Sequence, residues 1–307
     1  MIRLLPAVRR AIEAGQPVVA LETSVIAQGL PAPANRECVD RVTAAVRAEG
    51  AHPAMAAVVH GTPTLGLEPD ELERFLAGRG VRKVSARDLP VAMAQEADGA
   101  TTVAATLALA YGAGLSVFAT GGIGGVHREP PFDESADLLE LSRTPMVVVC
   151  AGAKAILDLG ATMERLETFG VPVVGYRTWD LPGFYTVDTG IRLTARADSA
   201  TEVAAIFRAQ RALGRTQALV VVQPPPADVA LSRAEVELAV EHARAAARTA
   251  GVRGAAATPY LLQAVTEVTH GRSLQVNLAL LEQNARLAAA IAVVLTSSPS
   301  HHQNAAG

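Results

Sequence analysis

Short β-branched runs recur along this chain, separated by alanine-rich stretches with helical spacing. This alternation constrains the fold more than any other feature. A strand that is apolar throughout must be covered on both faces, and the intervening helices supply the cover. The runs at Pro17–Leu21, Met55–Val59, Leu115–Thr120, Met146–Cys150, Val171–Tyr176 and Ala218–Gln223 read as buried strands, with Arg82–Ser85 a shorter extended piece. Helical spacing is read over Ala34–Glu49, Pro69–Ala77, Thr101–Ala110, Ser135–Leu141, Arg233–Ala250 and Ser273–Leu295. Without a linker or an internal repeat, the pattern predicts one three-layer α/β/α domain with a central mixed sheet over residues 1–296. The small polar residues 297–307 read as a disordered tail.

Half of the residues are apolar and only 4% are aromatic, so aliphatic side chains must fill the core. A net charge of −3 with both signs interspersed lacks the basic field that nucleic acid requires. A small anion held by a few local cations remains compatible with it. Cys38 and Cys150 lack metal-ligand spacing and suit a reducing compartment. Met1–Arg10 has no signal-peptide core, and the longest apolar run, Ala288–Leu295, is too short to cross a membrane. A cytoplasmic location is therefore expected.

Several segments carry chemical groups where a sheet of this kind places ligands. In VVVCAGAKAILDLG, a buried strand ends at Cys150, turns at Gly152 and is predicted to enter a helix near Lys154. A helix start there would disfavour the ammonium form through its dipole, and Ala153, Ala155 and Ile156 would add desolvation. Both would favour a nucleophilic amine, although a surface lysine that binds an anion fits the local pattern too. Glu22 follows the first strand, placed for proton transfer or, equally, for a helix cap. Four glycines within Gly121–Gly125 permit close approach of a phosphate or sugar, or simply a tight turn. His127 stands where the third glycine of a dinucleotide fingerprint belongs, which argues against a nicotinamide cofactor.

In FDESADL, Asp133 and Asp137 stand at i and i+4, a spacing that presents two carboxylates to a hard divalent ion from one helix face. Spacing alone favours Asp133 as the N-cap of that helix. Lys83, Ser85 and Arg87 offer phosphate-binding groups on what reads as a solvated loop. Thr101 and Thr102 sit at a helix start, as anion ligands or as caps. Cys150 reads as an inert core thiol. The aromatic stretch Tyr176–Tyr185, which includes the sole Trp179, reads as a lid or a subunit contact.

Taken in order, VVALETSVIAQGLPAP, KVSARDLP, GATTVAAT, FATGGIGGVHR, FDESADL, VVVCAGAKAILDLG, LETFGVPVVGY, TPYLL and SLQVN resemble the pseudouridine-5′-phosphate glycosidase, or indigoidine synthase A-like, family. The resemblance implies a three-layer α/β homotrimer that cleaves a C–C glycosidic bond. It implies that Lys154 forms an imine with ribose C1′, that Glu22 donates the proton, and that Asp133 binds Mn²⁺. It places Lys83, Val103, Thr120, Ser135, Ala136, Asp137 and Asn277 around the ribose phosphate, with His127 nearby. Gln28 stands where the family often has histidine, and Gln223-Pro224 where it often has Asn-Pro.

Overall fold

The runs Val18–Leu21, Val147–Cys150 and Leu219–Val222 are apolar at every position, and each is buried along its whole length. Strands of this kind belong in the middle of a parallel sheet. A computed structural model, which describes residues 2–129, 131–252, 254 and 257–297, places them there.

The chain opens with β1 (Arg3–Leu4), α1 (Pro6–Glu13) and β2 (Val18–Leu21). A π-helical turn, Val25–Gly29, leads into α2 (Ala34–Ala48) and the hairpin of β3 (His52–Val59) and β4 (Thr62–Leu65). Next come α3 (Pro69–Ala77), β5 (Arg82–Val84), α4 (Leu89–Ala94) and β6 (Gly99–Thr101). Helix α5 (Val103–Gly112) returns the chain to the centre at β7 (Val117–Ala119). A short strand β8 (Val126–His127), α6 (Ala136–Leu141), β9 (Val147–Cys150), β10 (Leu157–Asp158) and α7 (Leu159–Thr168) come after it. Then come β11 (Val173–Tyr176), β12 (Arg196–Ala197), α8 (Ala200–Ala212), β13 (Leu219–Val222), α9 (Arg233–Thr249), α10 (Ala257–Val268) and α11 (Arg272–Ser297).

The main path of the sheet is β1-β4-β3-β2-β7-β9-β13-β11-β12, with β6 on β3 and β5 on β6. From β3 to β12 neighbours run parallel, whereas β4 and β6 pair antiparallel with β3, so the sheet is mixed and helix-flanked as expected. Register decides which residues meet at the strand ends. Leu21 lies opposite Ala119, Ala119 opposite Val149, and Val149 opposite Val221. Glu22, Thr120 and Cys150 therefore leave the sheet side by side at its carboxyl edge, where α/β sheets place ligands.

Helix α11 packs against α2, α8 and the strands β2, β7 and β9. By length and apolarity it would pass for a membrane span, contrary to the sequence expectation, but more than half of the relevant stretch is buried inside the fold. It continues through Ser297, the first residue of the expected tail, and residues 298–307 lie outside the described residues.

Candidate active site

At that carboxyl edge is a cavity of about 450 Å³. Its walls come from segments far apart in sequence, including Glu22 after β2, Lys83 on β5, Val103 at the start of α5, Lys154 after β9 and Asn277 on α11. His127, Asp133, Ser135, Ala136 and Asp137 complete the side formed by β8, α6 and their connection. Of the residues expected at the site, only Thr120 does not line the cavity. It lies behind Glu22 and lines a separate void of about 20 Å³ with Leu21, Cys38, Met55 and Leu281.

Lys154 is half-buried, and its Nζ donates to the Gly122 carbonyl at 2.7 Å. The helix expected to begin there does not. Ala153 bridges Ile123, and the Lys154 backbone N–H donates to the Ile123 carbonyl. The chain then turns and pairs β10 with β8 before α7 starts at Leu159. Asp158 is the reason: its side chain accepts from the Ala161 N–H at 2.9 Å and caps the helix four residues after the lysine. No helix dipole therefore acts on the Lys154 amine from its own segment, because that effect fades beyond the first turn.

Glu22 is 8% exposed and is held from both sides. The Thr120 hydroxyl donates to one carboxylate oxygen and Ser24 Oγ to the other, the latter at 2.5 Å. Thr23 faces away from it, donating to Ala56 O at 2.7 Å while accepting from the Thr101 N–H at 2.9 Å. Thr101 thus belongs to the core, leaving Thr102 to open α5 at the cavity wall.

The glycines do not serve a ligand alone. A Cβ on Gly122 would lie 2.6 Å from the Phe184 ring, and one on Gly124 would lie 2.2 Å from Ser135 Oγ. They admit neighbouring parts of the protein itself, which real Cβ atoms would block. Asp137 uses the opening: its carboxylate accepts from Gly124 N–H at 2.8 Å and from Ala104 N–H at 3.0 Å. It ties the glycine loop to the first turn of α5. The two aspartates consequently do not share a helix face, since α6 begins at Ala136. Nor is Asp133 the cap; Ser135 is, accepting from the Asp137 N–H at 3.2 Å. Asp133 instead lies in the preceding connection, where its carbonyl accepts from the His127 N–H at 2.8 Å.

Lys83 and Lys154 approach one another in this space, among the carboxylates of Glu22, Asp133 and Asp137. Burial lowers the Lys83 pKa, and the neighbouring Lys154 charge lowers it further against Asp137 and Glu22. The His127 imidazole is likewise pushed down by burial and by both lysines, with Asp133 opposing. An anion between the lysines would relieve their repulsion. Among the described residues no cluster of three or more His, Cys, Asp or Glu is arranged to hold a metal. Glu134 pairs with Arg165 at 2.9 Å and Asp137 is spent on backbone, so Asp133 is left as the carboxylate facing the cavity from this segment.

Phe184 is a wall that the sequence does not announce. The second half of the aromatic stretch packs into the fold, with Phe184 edge-on to Tyr185 at 4.7 Å and its N–H on Ala151 O. Phe184 forms a cavity wall, whereas Trp179 is 40% exposed. Its pairing with Gly122 is the signal that could have found it, but a bulky ring and a side-chain-free position meet only in three dimensions. Thr258, Pro259 and Leu262 of α10 also line the cavity.

Comparison with known proteins gives a consistent result. A family model described as indigoidine synthase A-like protein matches residues 7–294. A pseudouridine-5′-phosphate glycosidase of Gemmatimonas aurantiaca is 63% identical over 293 residues, covering 95% of this chain and 96% of that protein. Another, of Herpetosiphon aurantiacus, is 51% identical over 96% of this chain and 98% of that protein. Among solved structures, the prealnumycin C-glycosynthase AlnA in complex with ribulose 5-phosphate superimposes with a TM-score of 0.89 at 36% identity, covering 97% of each chain.

Proposed function

The chain belongs to the indigoidine synthase A-like family, and from that premise we propose that it is a pseudouridine-5′-phosphate glycosidase. Reversibly, it would convert pseudouridine 5′-phosphate to uracil and ribose 5-phosphate. The observation that carries the reading is that a half-buried amine and a buried carboxylate face one cavity, held by backbone and side chain two residues apart. Lys154 Nζ is on the Gly122 carbonyl and Glu22 is on the Thr120 hydroxyl.

Uracil joined through its C5 carbon is a poor leaving group, so the sugar carbon must first be made electron-rich. Lys154 Nζ, once it has given up a proton, attacks C1′ and displaces O4′, which takes a proton as the furanose opens. The nitrogen lone pair then expels uracil as C5 is protonated, forming a C1′=N iminium. Water adds to the iminium, releasing ribose 5-phosphate and the free lysine. Glu22 donates and recovers the protons in these steps. Lys83 and the Val103 N–H at the start of α5 would face the phosphate, consistent with their place in the wall.

Mn²⁺ is part of the same proposal. A hard divalent ion commonly uses one or two carboxylates and completes its shell with water and phosphate oxygens, which suits a site where Asp133 is the available donor. When bound, such an ion would supply charge neutralisation for the phosphate. The homotrimer and the cytoplasmic setting implied by the resemblance are proposed with it; sedimentation of the purified chain reads the assembly.

The test is direct. Purified protein with pseudouridine 5′-phosphate and Mn²⁺ should release free uracil, read by chromatography and ultraviolet absorbance. Absence of uracil under these conditions discards the assignment.

A further inference from the structure

Helix α11 is the apolar helix beneath the site, yet it buries two asparagines, Asn277 and Asn284. They are seven residues apart and share a face with Leu281, which comes within 3.3 Å of where a Cβ on Gly121 would stand. Asn277 reaches the cavity, and its Oδ1 is buried without a partner among the described residues. Asn284 does not reach it. Its side chain is 1% exposed, and a buried amide is costly unless its hydrogen bonds are made. Both bonds it donates lead toward the site: Nδ2 donates to Thr120 O at 2.8 Å and, more weakly, to Gly121 O at 3.4 Å. Its Oδ1 accepts from Gln223 Nε2 at 3.0 Å, which fixes the direction in which the amide donates.

The backbone of Thr120 is thus gripped at both ends, its N–H by Val149 O on β9 and its carbonyl by Asn284. Its hydroxyl meanwhile donates to Glu22. Behind these two side chains is the 20 Å³ void, about the space of one water, so packing alone would not hold them firmly if the grip were lost. We infer that Asn284, oriented by Gln223, is a positioning residue that keeps the Thr120 hydroxyl, and through it the Glu22 carboxylate, aimed at the substrate. The inference rests on the reading of Glu22 as the proton donor.

A variant with apolar volume, Asn284→Leu, should lower kcat for uracil release by ~10–100-fold while leaving KM within about threefold, since only transition-state geometry is lost. Thr120→Val should behave alike, and the double variant should be no worse than the poorer single, because both act on one contact. Parental kcat in Asn284→Leu, a change confined to KM, or multiplying effects in the double variant would each overturn the inference. If Asn284→Leu does not fold, Gln223→Met decides: a folded protein with reduced kcat and unchanged KM supports the relay, and parental kcat refutes it. Glu22→Gln is assayed in parallel. If it turns over normally the proton-donor reading fails, and the relay with it; if it is inactive while Asn284→Leu is normal, only the relay fails.

Discussion

Lys154 and Lys83 face one cavity with different supports. Lys154 rests on a backbone carbonyl, whereas Lys83 is half-buried beside a like charge that burial has already made costly. Lys154→Ala should lose more than ~10³-fold in kcat, since removal of a covalent nucleophile costs several kcal/mol of barrier. Borohydride reduction in the presence of ribose 5-phosphate should leave one sugar phosphate on the peptide carrying residue 154; an adduct elsewhere rejects the assignment. Lys83 makes a different prediction. Its folded pKa lies below the unfolded one, so the unfolded chain binds more protons and stability rises with pH between the two values. Lys83→Met should therefore raise the Tm of the ligand-free protein at neutral pH, with a margin that narrows toward the ordinary lysine range, while weakening substrate binding. A lower Tm at neutral pH contradicts this. Glu22 and Lys154 are legible in the sequence as chemical groups at strand ends, and Asp133 as a carboxylate near a helix start. Thr120 as the support of Glu22 and Phe184 as a wall are not, because each acts through a residue remote in the chain.

Among the elements, the glycine loop and α6 depend on each other. Gly124→Ala would drive a methyl group into Ser135 and Asp137. Overpacking of this kind costs about 1–3 kcal/mol, and here it would also displace the Asp137 carboxylate from two backbone donors. Thermal melting should show the loss, and KM for the phosphorylated substrate should rise because the start of α5 is tied to the same carboxylate. An unchanged Tm would mean that the loop yields freely. The buried central strands are readable since continuous apolar runs admit few alternatives, and their observed ends fall close to the expected ones; the short peripheral strands carry no such run. The helix boundaries near the site are not readable. At Lys154 and Asp133 the sequence offers several capping residues within a few positions, and only the tertiary hydrogen bonds select Asp158 and Ser135.

At the scale of the whole molecule, both thiols are sealed in the aliphatic core. Burial raises Cys38 to about 12 and Cys150 to about 11, from an ordinary 9.0. A thiol whose folded pKa is raised contributes stability that is fully present below pH ~9 and is lost as the pH climbs toward the folded values. Stability should accordingly decline on the alkaline side between those limits. A thiol-specific chromogenic reagent at pH 8 should label neither cysteine in the native protein and both after denaturation; labelling of the native chain would show the core to be open. The cavity adds a consequence of its own. Its amine comes from the middle of the chain, but α11 closes the wall with Asn277 and grips Thr120 from below. That helix follows the lysine in the chain, so during synthesis on the ribosome the residue emerges before the chamber around it can close. On the proposed reading, a competent imine-former exists only once α11 has been made and has docked.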